Sequence, residues 1–173
     1  MRKFIITGGP CTGKTTLIEL LSGRGFPILP ESAREIMEEE QKKYEGVLPW
    51  TDLPAFQNKV FYRQKEKESA IAVQDIVFLD RGIPDILAYA ELGGIDMGKQ
   101  IHESIFSADY CGVFILDRLP CYHTDESRKE SAYEAASVHD MICSIYSLLD
   151  LEAFYVPAVE PEKRLDFVLG RVS

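Results

Sequence analysis

The stretch Gly8-Gly9-Pro10-Cys11-Thr12-Gly13-Lys14-Thr15 decides the fold of this chain, because it matches the pattern G-x-x-x-x-G-K-[ST] at every fixed position. An apolar run at residues 4–7 precedes the motif and a helical pattern over about 14–21 follows it. Glycines let backbone N–H groups surround a phosphate, and the N-terminus of the helix adds a favourable dipole. We therefore predict that this loop binds the phosphates of a nucleotide. The predicted phosphate-binding residues are Gly8, Gly9, Pro10, Cys11, Thr12, Gly13, Lys14, Thr15 and Thr16.

Two side chains of the motif have predicted roles of their own. Lys14 can reach the β- and γ-phosphates, and the hydroxyl of Thr15 can ligate Mg²⁺. A dinucleotide-binding loop is disfavoured, because the pattern G-x-G-x-x-G needs a glycine where Pro10 stands.

The rest of the chain alternates short apolar runs with helical patterns. Strands are predicted at about 26–29, 76–79, 113–116 and 153–156, and helices at about 32–43, 52–73, 84–92, 99–106 and 131–149, with a last helix from Pro161. Capping-box patterns begin at Ser32 and Ser131. This alternation predicts an α/β fold of three layers, in which helices cover both faces of a five-stranded parallel sheet. We expect residues 1–173 to form one domain.

The composition excludes several classes of partner. The chain has 173 residues, of which 28 are acidic and 19 basic, so its formal net charge is −9. An acidic surface disfavours nucleic acid and a polybasic membrane anchor, and no apolar run approaches the length of a membrane span. The four cysteines form no Cys-x-x-Cys pair, which favours reduced thiols in a cytoplasmic protein.

Charged residues follow two of the predicted strands, at the edge of the sheet where ligands bind in open α/β folds. Asp80 and Arg81 come directly after residues 76–79, so we predict that Asp80 contacts Mg²⁺ and that Arg81 holds the transferred phosphoryl group. Glu31 follows the second strand, where it can accept a proton from an acceptor hydroxyl. Each residue also has a structural interpretation: a cap for Asp80, a surface ion pair for Arg81 and a charge beside a helix N-terminus for Glu31.

A polar stretch at about 117–130 is predicted to form a lid-like loop, with Arg118 and Arg128 near its ends. Such arginines can close over the γ-phosphate and stabilise developing charge, or they can belong to a solvated loop. On the acceptor side, Arg34 lies one helical turn from Glu31. Asp85 can bind a sugar hydroxyl or act only as a first-turn acid of its helix.

Longer stretches resemble the P-loop NTPase and kinase-like family of AAA-type ATP/GTP-binding domains that contains the ribosylnicotinamide-kinase domain of the bacterial NAD regulator. The resemblance covers nearly the whole chain, and its most discriminating pieces are Pro-Glu-Ser-Ala-Arg at 30–34 and Asp-Arg-Gly-Ile-Pro-Asp at 80–85. It implies a nucleoside-kinase-like fold with strand order 2-3-1-4-5. It also implies that Glu31 is the general base and that Asp80 and Arg81 form the acidic–arginine pair. By the same resemblance, Gln57 contacts the nucleobase of the acceptor.

These patterns favour a kinase that transfers the γ-phosphate of Mg²⁺-bound ATP, or of GTP, to a hydroxyl of a small nucleoside-like acceptor. The predicted catalytic residues are Lys14, Glu31, Asp80, Arg81 and Arg128. Arg118 is predicted to belong to the nucleotide site, and Thr15 and Asp80 are predicted to bind the metal. The predicted acceptor-binding residues are Arg34, Gln57 and Asp85. An ATP- or GTP-dependent switch and a stand-alone NTPase remain open alternatives, although the guanine motif [NT]-K-x-D is absent. A homodimer is expected by analogy alone.

Overall fold

The central strand β1 (Arg2–Thr7) is buried on both faces, as its run of apolar residues predicts. The computed structural model of the protein describes residues 2–72, 76–120 and 132–172. In it, β1 pairs in parallel with β3 (Ile76–Asp80) and with β4 (Tyr110–Leu116). Two short strands complete the sheet, since β2 (Ile28–Leu29) pairs with β3 and β5 (Ala153–Val156) pairs with β4. The parallel sheet in the order β2-β3-β1-β4-β5 confirms the predicted architecture.

Helices cover both faces of this sheet and so give the three predicted layers. They are α1 (Lys14–Gly23), α2 (Ser32–Glu40), α3 (Leu53–Ser69), α4 (Ile83–Leu92), α5 (Gly98–Ser107), α6 (Ala132–Ser147) and α7 (Pro161–Val172). Side chains of β1 alternate between two cores, because successive residues of a strand point to opposite faces. Phe4 and Ile6 pack with α1 and α7, whereas Ile5 packs with the core formed by α2 to α6. None of the helices in these described ranges is long and apolar enough to cross a membrane.

The first predicted capping box is wrong, and tertiary contacts explain why. Ser32 is the first residue of α2 rather than its cap, and its hydroxyl donates a hydrogen bond to Oε1 of Gln64 at 2.6 Å. α2 also ends at Glu40, three residues earlier than predicted, where the Glu40 carboxylate accepts a hydrogen bond from the backbone N–H of Val47. The second capping box, at Ser131, lies outside the described residues.

The longest predicted helix is also shorter than its sequence pattern. Asp52 caps α3 by accepting a hydrogen bond from the backbone N–H of Ala55 at 3.0 Å, and Pro54 lies in the first turn, where a proline is tolerated. The helix ends at Ser69, short of the predicted 73. In the sheet, β2 lies at one edge.

The buried aromatic layer yields a test of the fold. Phe78 is fully buried in the α1–α7 core, with ring contacts to Phe4, Phe26 and Phe114. We expect Phe78→Ala to lower the free energy of unfolding by about 3–5 kcal/mol, because it removes apolar contacts and leaves a cavity. Phe106→Ala is the matched control, since Phe106 is 79% exposed, and should change that free energy by less than about 0.5 kcal/mol. Urea unfolding measures both, and equal effects would contradict the core described here.

Candidate nucleotide and phosphoryl-transfer site

The loop between β1 and α1, which with the first turn of α1 carries the phosphate-loop motif of residues 8–15, requires glycine at two backbone positions. Gly8 and Gly13 adopt φ angles of 145° and 80°, which L-residues rarely adopt. A Cβ atom on Gly8 would also lie 2.9 Å from the carbonyl oxygen of Leu116. The hydroxyl of Thr12 donates to the carbonyl oxygen of Gly9 at 3.0 Å, which closes the turn. The loop thus leads directly into α1 at Lys14, as the motif predicts.

Two residues far away in the chain hold this loop in place. The buried guanidinium of Arg164, on α7, donates to the carbonyl oxygen of Thr12 and, at 3.0 Å, to that of Val159. On the other side, Nδ1 of His139 accepts a hydrogen bond from the backbone N–H of Gly9 at 3.2 Å. Neither role was predicted from the sequence, because no pattern near 139 or 164 indicates a contact with residues 9–12.

Four of the predicted catalytic residues come together at the carboxyl edge of the sheet. The ammonium group of Lys14 forms an ion pair with Asp80 and lies 3.8 Å from Oε2 of Glu31. Nε of Arg81 donates to Oε1 of Glu31 at 2.9 Å. The site therefore contains alternating positive and negative groups that are largely buried, since their side chains are 10–18% exposed.

Asp85 lies behind this charged row rather than at its open side. Its carboxylate is 2% exposed and accepts four hydrogen bonds. The donors are Nη1 of Arg81 at 3.0 Å, the backbone N–H of Gly82 at 2.9 Å, the hydroxyl of Tyr146 at 2.6 Å and the hydroxyl of Thr7. The bond from Gly82 caps the N-terminus of α4, and the bond from Arg81 holds the guanidinium in place.

The backbone of Arg81 is strained, with φ at 71°. Three contacts hold the backbone and the side chain of Arg81. Nε2 of Gln64 donates to the carbonyl oxygen of Arg81 at 3.3 Å, and the carboxylates of Glu31 and Asp85 accept hydrogen bonds from its guanidinium. The guanidinium also lies 5.3 Å from the ring centre of Tyr89. Gln64 was not among the predicted site residues, although its helical spacing from Gln57 places both on one face of α3.

The charged cluster of Lys14, Glu31, Asp80, Arg81 and Asp85 also fixes the charge of Glu31. Burial would raise the pKa of this carboxyl, but the positive charges of Arg81, Lys14 and Arg34 and the hydrogen bond from Arg81 outweigh burial and lower it. Glu31 is therefore ionised at neutral pH and can accept a hydrogen bond from a hydroxyl group.

The other predicted residues are placed around the cluster. Thr15 and Thr16 are exposed in the first turn of α1, and Arg118 is exposed after β4. Gln57 is 6% exposed on α3 and Arg34 is exposed on α2; within the described ranges, neither forms a hydrogen bond or ion pair with the cluster. Arg128 and most of the predicted lid lie outside the described residues.

The donor set fits a magnesium ion that is bound partly through phosphate. The Thr15 hydroxyl is exposed beside Lys14, and the Asp80 carboxylate faces the same loop through its ion pair with Lys14. Across residues 2–72, 76–120 and 132–172, no group of three or more His, Cys, Asp or Glu side chains could form a metal cage. Mg²⁺ in nucleotide sites needs only one or two protein oxygens in addition to phosphate and water.

Solved structures, two of them of kinases, share this architecture. NadR in complex with NR is similar with a TM-score of 0.77 and 19% identity, over 99% of this chain and 50% of that chain. Deoxyadenosine kinase from M. mycoides with products dCMP and a flexible dCDP bound gives a TM-score of 0.68 at 14% identity, over 98% of both chains. Shikimate kinase from Aquifex aeolicus gives 0.57 at 17% identity, over 98% of this chain and 95% of that chain.

These identities are low, so the structural similarities show the fold alone. No curated protein matches the sequence. The family model described as an AAA domain, however, matches residues 3–164, which is nearly the whole chain. Together with the phosphate loop and the strand order, this match shows that the chain belongs to the AAA domain family of P-loop proteins, within a kinase-like fold that NadR shares.

Proposed function

We propose that the protein is a kinase that transfers the γ-phosphate of ATP to a hydroxyl group of a small nucleoside-like molecule. The observation that carries the proposal is the position of Glu31. This ionised carboxylate lies 3.8 Å from Lys14 and 2.9 Å from Arg81, beside the phosphate loop. A hydroxyl bound to Glu31 would therefore lie next to the cations that hold the transferred phosphate. The fold shared with deoxyadenosine kinase and shikimate kinase supports transfer to a small molecule.

The charge balance of the cluster explains why the nucleotide needs a cation. Lys14 and Arg81 supply two positive charges, whereas Glu31, Asp80 and Asp85 supply three negative ones. A polyphosphate that approaches these ion-paired groups without a cation meets three carboxylates as well as the two positive charges. The Thr15 hydroxyl and the Asp80 carboxylate would hold Mg²⁺, which when bound neutralises charge on the β- and γ-phosphate oxygens.

In the proposed reaction, the chain mainly positions groups and stabilises charge. Backbone N–H groups of residues 11–16 bind the phosphates, and Lys14 leaves its carboxylate partners to bind the β- and γ-phosphate oxygens. Glu31 orients the acceptor hydroxyl and takes its proton as the new P–O bond forms and the bond to ADP breaks. Arg81 stabilises the negative charge of the phosphoryl oxygens.

Further contacts complete the proposal. Arg118 contacts the nucleotide, and Arg128 contributes a further positive charge at the γ-phosphate. Arg34 and Gln57 bind the acceptor from α2 and α3. Asp85, whose oxygens accept hydrogen bonds from the side chains of Arg81, Tyr146 and Thr7 and from the backbone N–H of Gly82, supports Arg81 instead of binding the acceptor.

Substitution of the P-loop lysine tests the nucleotide site. We expect Lys14→Ala to lower the rate of phosphate transfer at least about 100-fold, because an ammonium group that stabilises the transferred charge is lost. The measurement follows ADP formation from Mg²⁺-bound ATP with a panel of nucleosides and sugars, with thermal unfolding as a check on the fold. Lys42→Ala, at an exposed position, is the control. Unchanged turnover in Lys14→Ala would overturn the assignment.

Substitution of the carboxylate separates the kinase from its alternatives. We expect Glu31→Gln to lower kcat by about 100-fold or more while the Kd of ATP changes less than about threefold, because Glu31 acts on the acceptor. In the unaltered protein, the contribution of Glu31 to kcat/KM should be lost only as the pH drops below 4.5, the ordinary pKa of a glutamic acid, since the pKa of Glu31 is lowered.

Glu38→Gln, on the exposed face of α2, is the control for the charge change. Equal losses of ATP binding and turnover in Glu31→Gln would assign Glu31 to structure. Turnover of ATP that no acceptor accelerates would favour the stand-alone NTPase over the kinase.

A further inference from the structure

Helix α6 contacts the phosphate loop at an unusually close approach. Nδ1 of His139 accepts a hydrogen bond from the backbone N–H of Gly9 at 3.2 Å. A Cβ atom on Gly9 would lie 2.8 Å from Cβ of His139 and 3.0 Å from the carbonyl oxygen of Ala135. Only a glycine lets the loop come this near to the helix, so the loop and α6 are in direct contact along this turn.

The same helix contacts the support of Arg81. Tyr146 is 1% exposed, and its hydroxyl donates to Oδ2 of Asp85 at 2.6 Å. The other oxygen of Asp85 accepts a hydrogen bond from Nη1 of Arg81 at 3.0 Å. Burial and the neighbouring Asp85 raise the pKa of Tyr146 well above its ordinary value, so its hydroxyl keeps its proton and remains a donor.

The two contacts lie on one face of α6. His139 and Tyr146 are two helical turns apart, which corresponds to about 10.5 Å along the axis. Ile142, between them, is fully buried, and Ile142 and Tyr146 belong to the same apolar core as Ile86 of α4. One packed helix, α6, thus contacts two parts of the site. The first is the loop that would hold the nucleotide, and the second is the Asp85 carboxylate that orients Arg81.

We propose that α6 sets the position of the phosphate loop relative to Arg81, and that His139 and Tyr146 are the positioning residues through which it does so. The effect of this positioning on the reaction rate rests on the proposed kinase function. In-line phosphoryl transfer requires the phosphate, the acceptor hydroxyl and Arg81 to be aligned within a fraction of an ångström. In this account His139 positions the nucleotide and Tyr146 positions Arg81. Each acts through another residue and not on the reacting atoms.

The protonation of His139 fits this role. Nδ1 accepts a hydrogen bond only when it carries no proton. Burial lowers the pKa of His139, Arg118 lowers it further, and Asp140 and Asp117 oppose these effects. Nε2 lies 3.6 Å from Sγ of Cys143, which provides a partner for the other ring nitrogen.

The His139 contact is tested by one disruptive and one conservative variant. His139→Leu removes the acceptor, whereas His139→Asn places Oδ1 near the position of Nδ1. The Kd of a Mg²⁺-bound, non-hydrolysable ATP analogue should rise about three- to tenfold in His139→Leu and return to within about twofold of the unaltered protein in His139→Asn. His102→Asn, at an exposed position on α5, is the control. Unchanged binding in His139→Leu, or equal weakening in both variants, would overturn the role of His139.

The Tyr146 contact is tested by removal of one hydroxyl. Tyr146→Phe should lower kcat about three- to tenfold while the Kd of the ATP analogue stays within about twofold, because the change acts on Arg81 and not on the loop. Tyr133→Phe is the matched control, since Tyr133 is 81% exposed on the same helix. A loss of thermal stability with unchanged kcat would assign Tyr146 to packing alone and overturn its positioning role.

Two measurements on the ligand-free protein separate this proposal from the proposed function. Amide hydrogen exchange of Gly9 should speed up in His139→Leu but not in His139→Asn, and the Nε–H signal of Arg81 in nitrogen-15 NMR should shift in Tyr146→Phe but not in Tyr133→Phe. If the unaltered protein neither binds ATP nor turns it over, the proposed function fails. Unchanged Gly9 exchange and an unchanged Arg81 signal would overturn the positioning role in either case.

Discussion

The ion pair between Lys14 and Asp80 links the phosphate loop to the end of β3, and the arrangement of the site depends on it. A buried ammonium group without a partner would be costly, so the ligand-free protein holds Lys14 between the carboxylates of Asp80 and Glu31. In the proposed function, the phosphates of a nucleotide would compete with these carboxylates for the same cation. Nucleotide binding would then exchange one partner of Lys14 for another, so that Lys14 would not be left buried and unpaired.

The register of the sheet brings these partners together. Asp80 lies beside Ile6 in the β1–β3 pair, one residue before β1 ends at Thr7 and the phosphate loop begins. In the β2–β3 pair, Leu29 lies beside Leu79, so the chain after β2 brings Glu31 next to Arg81. Because the carboxyl ends of parallel strands lie at one edge of a sheet, the register of the strands is enough to bring residues that are far apart in sequence together there.

Local sequence patterns predicted the residues at the strand ends and missed those that support them. Lys14 lies in a recognisable loop, and Glu31 and Asp80 directly follow apolar runs, so strand order alone brings them together. His139 and Arg164 reach the loop from distant helices, and no local pattern records such contacts. Asp85 was predicted both as an acceptor ligand and as a first-turn acid, and its hydrogen bonds match the second interpretation. The predicted cap at Ser32 fails for a related reason, because Gln64, on another helix, takes the hydroxyl.

The most direct test is a crystal structure of the protein with Mg²⁺ and a non-hydrolysable ATP analogue. We expect Nζ of Lys14 to leave Asp80 and to lie within hydrogen-bond distance of the β- and γ-phosphate oxygens, while Glu31 keeps its contact with Arg81 and faces the γ-phosphate. A nucleotide bound away from residues 8–16, with the pair between Lys14 and Asp80 intact, would contradict the account.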